Sequence, residues 1–186
     1  MANHASHFVD SLVFIYDTEN NLIARTTVTG YGRDEMYIEV AGGLENVKPG
    51  IRLHLLIIHS TGASELSGTY KSMRQGIYEI SIYGERQRDV RASARRVLNT
   101  SAVISDMVSE LGTEELSAPL PVTIVNMSTT GVLISPKDIH LKTGALLQIE
   151  FNVSRKVCIL YAEVVREQTD SDGTLRYGCR LHFFDR

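Results

Sequence analysis

The residues of this sequence best suited to bind a ligand are five arginines within residues 85–96. They are Arg86, Arg88, Arg91, Arg95 and Arg96, in a chain with fourteen arginines and five lysines. A planar guanidinium can contact phosphate oxygens, or the paired acceptors of a guanine edge, through two parallel hydrogen bonds. Arg91 and Arg95 share one face if the segment is helical, and they can clasp one ligand from two directions if it is extended. The same spacing also occurs in solvated basic linkers, so this arginine segment (residues 85–96) is a candidate site and no more.

A second polar motif, Asn-Met-Ser-Thr-Thr-Gly at residues 126–131, lies where one predicted strand turns back into the next. Alternate residues of a strand share a face, so Asn126 and Ser128 are expected to point to the same side. There an amide and a hydroxyl would offer donors and acceptors to a base edge or a phosphate. Gly131 would allow a positive φ or the close approach of a ligand. The motif is also typical of a plain turn, in which Asn and Ser hydrogen-bond their own backbone.

Other signals of chemistry are missing from the sequence. There is no Gly-x-Ser-x-Gly, no His-Glu-x-x-His and no glycine-rich phosphate loop, so we expect no catalytic residues and no enzyme. The six histidines have no metal-ligand spacing with cysteines or carboxylates, and we expect neither a metal site nor a cofactor. A net charge of -3 and a pI of about 6.1 argue against binding DNA through general positive charge.

Composition indicates an ordinary globular protein, with 43% hydrophobic and 22% charged residues. No run of about 18 apolar residues is present, so no membrane span is predicted. The first residues lack the basic and apolar regions of a secretory signal. With only Cys158 and Cys179 available, a disulfide framework is not expected, and a reducing cytoplasm is the simplest location.

The elements that must position these residues are short strands. Apolar or alternating runs separated by polar turns predict strands in the first half at residues 11–17, 22–30, 36–41, 51–59, 66–72 and 77–83. The second half predicts strands at residues 97–104, 122–126, 131–135, 146–153, 157–168 and 174–184. Residues 105–121, which are acidic and contain two prolines, are predicted to form a loop or a short helix.

The sequence therefore predicts an all-β chain of two small antiparallel β-barrels in tandem. The first domain covers residues 1–85 and the second residues 86–186, with the arginine segment as the linker between them.

The order of the two polar motifs resembles the PilZ domain family. That family has Arg-x-x-x-Arg near its start and Asp/Asn-x-Ser-x-x-Gly on its barrel, which Arg91, Arg95, Asn126, Ser128 and Gly131 match. Arg88 and Arg96 lie close enough to join or shift the first element. The closing strands, with Tyr-Ala-Glu-Val-Val-Arg at 161–166 and Tyr-Gly-Cys-Arg-Leu-His-Phe at 177–183, are similar to the family's last hairpin. The first half is similar in style to the β-barrel that precedes the PilZ domain in flagellar-brake proteins.

This resemblance implies a bacterial second-messenger receptor that binds cyclic di-GMP. The arginines would contact phosphates and guanine edges, and Asn126 and Ser128 would contact a guanine and the adjacent phosphate. Ligand capture by the linker would then change how the two domains are arranged. The regulated output would be motility, exopolysaccharide production or a similar process, through a flagellar motor, a polysaccharide synthase or another protein partner.

Two other functions remain open. The second domain would be a PilZ-like protein-interaction module if it no longer bound nucleotide. Alternatively, the chain would be a β-barrel that binds single-stranded nucleic acid.

Overall fold

The computed structural model describes residues 8–40, 42–59, 62–83, 95–109, 112–114, 116, 118–137, 139–153 and 156–183. These residues form thirteen strands with antiparallel pairing and no α-helix. The chain divides into two compact units, whose main parts are residues 1–93 and residues 94–184. In the described part of the chain, no helix is long and apolar enough to cross a membrane.

The first unit is a closed six-stranded barrel. Its strands are β1 (Leu12–Tyr16), β2 (Leu22–Tyr31), β3 (Glu35–Glu39), β4 (Arg52–His59), β5 (Gly62–Arg74) and β6 (Ile77–Tyr83). They are hydrogen-bonded in the order β1-β2-β3-β6-β5-β4, and β4 pairs with β1 to close the barrel. The six strands predicted for this half are confirmed, with β5 beginning earlier than expected.

Alternation places the first core inside this barrel. Leu53, Leu55 and Ile57 of β4 are fully buried, as are Val13 and Ile15 of β1. Residues two apart on a strand share a face, so these side chains point to the same side and together fill the interior.

The second unit is also a closed barrel of six strands, with one short strand added at its edge. Its strands are β7 (Arg96–Ser109), β8 (Gly112–Glu114), β9 (Leu120–Met127), β10 (Gly131–Pro136), β11 (Leu146–Val153), β12 (Lys156–Thr169) and β13 (Leu175–His182). The ring runs β11-β12-β13-β10-β9-β7 and closes where β7 pairs with β11, while β8 pairs with β7 outside the ring. The prediction of two antiparallel barrels, the second six-stranded, is confirmed.

The prediction for residues 105–121 is wrong over much of its length. Instead of ending at residue 104, β7 continues to Ser109 and turns back into β8. The added length closes the barrel, because the first part of β7 pairs with β9 and its last part, from Val103 to Val108, pairs with β11. Ile104, fully buried where β7 passes from β9 to β11, secures this long strand to the core.

Candidate functional site

The predicted motif at residues 126–131 forms the hairpin between β9 and β10. The backbone amide of Ser128 donates to the carbonyl of Gly131 at 2.8 Å. The Ser128 hydroxyl oxygen accepts from the amides of Gly131 at 3.2 Å and Thr130 at 3.4 Å. Ser128 thus stabilises the turn, as the plain-turn interpretation predicts for this residue.

A β-bulge decides where Asn126 points. Met127 and Asn126 pair with Val132 and Leu133 of β10, but the next pair is Ile124 with Ile134, so Val125 is an extra residue in β9. As a result Ile124 and Met127, three residues apart, are both fully buried. Such a bulge shifts the alternation by one residue and so exchanges the inner and outer faces. Asn126 therefore points outward.

Asn126 and Ser128 share that outer side of the barrel. Each is partly exposed, whereas Met127 between them is fully buried in the core. Across the ladder Asn126 pairs with Val97 of β7, which is 46% exposed and lies on the same outer face. An amide and a hydroxyl thus stand together on the surface of the second barrel.

The candidate arginines fall into three groups. Arg88 and Arg91 lie outside the described residues. Arg95 is exposed and immediately precedes β7. Because Arg96 pairs with Met127, continuing the antiparallel register by one residue sets Arg95 beside Ser128. Arg96 itself is only 8% exposed and lies on the core side of β7, so it is placed to support the start of the strand.

Gly131 is required by the packing of β10 against β13. It pairs with Arg180 of β13, and a Cβ atom at this position would lie 2.9 Å from the carbonyl oxygen of Cys179. Gly131 does not have a positive φ. The predicted positive φ is therefore wrong, and the role of Gly131 in the approach of a ligand stays a prediction; what the structure shows is its close contact with β13. The amide of Leu181 also donates to the carbonyl of Thr130 at 3.0 Å, which fixes the turn against β13.

Beside this hairpin lies an ion pair between β12 and β13 that was not predicted from the sequence. The Glu163 carboxylate is 3.1 Å from Nε2 of His182 and 3.7 Å from Nη1 of Arg180. The Arg180 side chain is 64% exposed, so it is held only loosely by its acidic neighbour.

A second glycine shapes the same outer face. Gly178 pairs with Arg166 of β12 on one side and with Leu133 of β10 on the other. Leu133 in turn pairs with Asn126, so Gly178 lies two strands away from Asn126 on the same face. A Cβ atom on Gly178 would lie 2.8 Å from Nε of Arg166 and 3.0 Å from its Cγ. The Arg166 side chain therefore lies across the bare backbone of β13.

The two thiols of this barrel are poor nucleophiles. Burial raises the pKa of Cys179 to about 12, and burial also raises the pKa of Cys158, partly countered by Lys156. Both cysteines are free. Among the residues that the structure describes, no three His, Cys, Asp or Glu side chains are grouped so as to hold a metal ion.

Taken together, the described residues form a polar outer face with guanidinium groups on either side. Asn126 and Ser128 present neutral hydrogen-bonding groups. Arg95 lies on the β7 side of them and Arg180 on the β13 side. Gly131 has no side chain to cover the backbone between the hairpin and Arg180. Such a face can hold an anionic group while its amide reads a base edge. The acidic residue Asp106 lies ten positions along β7 from Arg96, opposite Gln148, and so does not belong to this face.

Comparison with known protein families gives one match, to the PilZ domain, over residues 86–186. Comparison with curated proteins gives no match.

Several solved structures are similar to the whole chain at low identity. The inhibitor of motility MotI/DgrA of Bacillus subtilis is 11% identical with a TM-score of 0.37, covering 98% of this chain and 90% of its own. MrkH of K. pneumonia in complex with cyclic di-GMP is 16% identical with a TM-score of 0.39, covering 95% and 80%. YcgR of Escherichia coli in complex with cyclic di-GMP is 11% identical with a TM-score of 0.37, covering 95% and 77%.

Proposed function

The chain belongs to the PilZ domain family, and on this premise we propose that it is a receptor for cyclic di-GMP. The observation that carries the proposal is the outward placement of Asn126 and Ser128 by the Val125 bulge, with Arg95 one residue before the Arg96–Met127 pair that ends the β7–β9 ladder. These are the residue types and positions of the family's ligand motif. The amide, the hydroxyl and the guanidinium are complementary to a guanine edge and to a phosphate.

In this proposal the arginine segment supplies most of the binding energy. Arg88, Arg91 and Arg95 clasp the phosphates and the guanine acceptors, each charge-assisted contact contributing about 1.5–3 kcal/mol. Arg96, buried opposite Met127, acts by holding the beginning of β7 in place. Asn126 contacts a guanine from the barrel surface, and Ser128 contacts the adjacent phosphate.

The hydrogen bonds already made by Ser128 are compatible with this role. Its hydroxyl oxygen is occupied by two amides of the turn, while its proton has only a 3.4 Å contact with the Gly131 carbonyl. A phosphate oxygen is a stronger acceptor than a carbonyl, so the hydroxyl can redirect its proton to the ligand without giving up the turn.

Titration calorimetry of the full chain with cyclic di-GMP tests the proposal. We expect saturable binding at micromolar or lower ligand concentration, with cyclic di-AMP binding much more weakly because adenine lacks the guanine acceptor pair. The double variant Arg91→Ala, Arg95→Ala should lose this binding, and Arg52→Ala, an exposed arginine on β4 of the first barrel, should keep it. Absence of heat with the unaltered chain would contradict the proposal and favour a protein-interaction module.

A finer proposal concerns the response to the ligand. The arginine segment connects the two barrels in the chain, so a ligand bound by it would change the populations of their relative arrangements. A protein in the bacterial cytoplasm would sense that change and transmit it to motility or exopolysaccharide production. Distances between spin labels placed on β4 and β11, measured with and without cyclic di-GMP, test this step. A distance distribution unchanged at saturating ligand would contradict it.

A further inference from the structure

The outer face beside the hairpin contains a second guanidinium that the two family motifs do not include. Arg180 is the cross-strand partner of Gly131, which begins β10. Cross-strand partners project their side chains to the same face, with Cβ positions about 4.5–5.5 Å apart. Gly131 has no side chain, so no β10 side chain stands between Arg180 and the turn; the Cβ direction of Gly131 itself ends on the carbonyl oxygen of Cys179.

The Ser128 hydroxyl lies on the other side of Gly131. A Cβ atom placed on Gly131 would lie 4.0 Å from the Ser128 oxygen, so that oxygen is on the face to which Arg180 projects. Arg180 and Ser128 therefore flank the bare backbone of Gly131 from opposite sides. The short cross-strand spacing and the length of an arginine side chain would let Arg180 reach a phosphate bound at Ser128.

The Arg180 side chain is held only weakly in its present position beside Glu163. Its contact with Glu163 is 3.7 Å long and its side chain is 64% exposed, which makes this ion pair weak in water. Glu163 has a second partner at 3.1 Å, Nε2 of His182, and would keep that contact if Arg180 left. The exchange would therefore leave Glu163 with a hydrogen-bond partner.

We propose that Arg180 is an additional ligand-binding residue, which leaves Glu163 and contacts the phosphate of the bound nucleotide from the β13 side. The proposal rests on the cyclic di-GMP function proposed above and extends the site beyond the arginine segment and the β9–β10 hairpin. Glu163 then acts as a competitor for Arg180 and lowers the affinity for the ligand.

The two residues make opposite predictions in calorimetry of the full chain with cyclic di-GMP. Arg180→Gln should weaken binding about tenfold, the effect of losing one charge-assisted contact. Glu163→Gln should tighten binding about threefold, because it releases Arg180 from a weak ion pair. In the Arg180→Gln background, Glu163→Gln should change nothing, since its effect acts through Arg180. Arg52→Gln, which removes an exposed arginine from the first barrel, is the matched control and should bind like the unaltered chain.

Each outcome separates this inference from the proposed function. If the unaltered chain does not bind cyclic di-GMP, the proposed function fails and Arg180 has no ligand to contact. If the unaltered chain binds and Arg180→Gln binds equally well, only the role of Arg180 is overturned. If Glu163→Gln acts equally in both backgrounds, the exchange between Glu163 and the ligand is overturned. Should Arg180→Gln unfold, the Glu163→Gln result decides, because unchanged or weaker binding contradicts the competition.

Discussion

Glu163 lies directly opposite Arg180 across the β12–β13 ladder because Val165 is an extra residue in β12. On the turn side of this bulge Arg166 pairs with Gly178, and beyond it Val164 pairs with Cys179. Val164 and Cys179 are buried in the core, so the next pair, Glu163 and Arg180, points outward. A single bulge thus places a carboxylate and a guanidinium beside the β9–β10 hairpin.

Replacing Asn126 by alanine should weaken cyclic di-GMP binding about tenfold, because it removes one side-chain partner of a guanine. Stability should change little, since the side chain is partly exposed on the outer face. Calorimetry with ligand and thermal unfolding without it measure the two effects. Asn152→Ala, an exposed asparagine on β11, is the matched control. Unchanged affinity in Asn126→Ala would remove Asn126 from the site.

Deleting Val125 should leave cyclic di-GMP binding intact. Without the extra residue Asn126 follows Ile124 directly, so regular alternation keeps Ile124 and Met127 in the core and Asn126 on the outer face. Val125→Thr keeps the residue count and nearly the same shape, and it should also bind like the unaltered chain in calorimetry. Loss of binding in the deletion variant alone would contradict this account, in which the bulge matters only because it sets the face of Asn126.

Gly131→Ala should destabilise the second barrel by about 1–3 kcal/mol, the usual cost of overpacking. The added methyl group would meet the Cys179 carbonyl oxygen, a backbone atom that cannot move without shifting β13. Differential scanning calorimetry measures the change. Gly32→Ala is the control, since its Cβ would have no neighbour closer than 3.8 Å. Equal melting temperatures for the two variants would show that β13 can shift at little cost in the free energy of unfolding.

The Cys179 thiol should resist labelling in the native protein. Since burial raises its pKa to about 12, roughly one molecule in ten thousand carries the reactive thiolate at pH 8. A Cys158→Ala variant isolates Cys179 for assay with an aromatic disulfide reagent, and labelling in guanidinium gives the value for the unfolded chain. Native labelling as fast as unfolded labelling would contradict the burial of Cys179.

Much of the fold was accessible from the sequence because it depends on alternation and turn residues. The apolar run at residues 51–59 and the hairpin turn sequence Asp-Ser-Asp-Gly at residues 170–173 each predict their strands within a few positions, since both patterns are local. The long β7 was not accessible in this way. Its second half is strand because β11 pairs with it, a contact between residues some forty positions apart.

The site was predictable by residue type and less so by geometry. Counting forward from Val122, strict alternation would place Asn126 on the core side with Val122 and Ile124, and only the Val125 bulge reverses this. Likewise, the turn at residues 170–173 with an unbroken register would set Arg180 opposite Val164 instead of Glu163. Bulges depend on how neighbouring strands fit together, so local patterns do not locate them.

A crystal structure of the full chain with cyclic di-GMP tests the central claim most directly. We expect the nucleotide on the outer face of the second barrel, with Asn126 and Ser128 within hydrogen-bonding distance and arginines of residues 88–95 around its phosphates and guanines. Arg180 should have left Glu163 for a phosphate oxygen. A ligand bound elsewhere on the chain, with the β9–β10 hairpin untouched, would contradict the account.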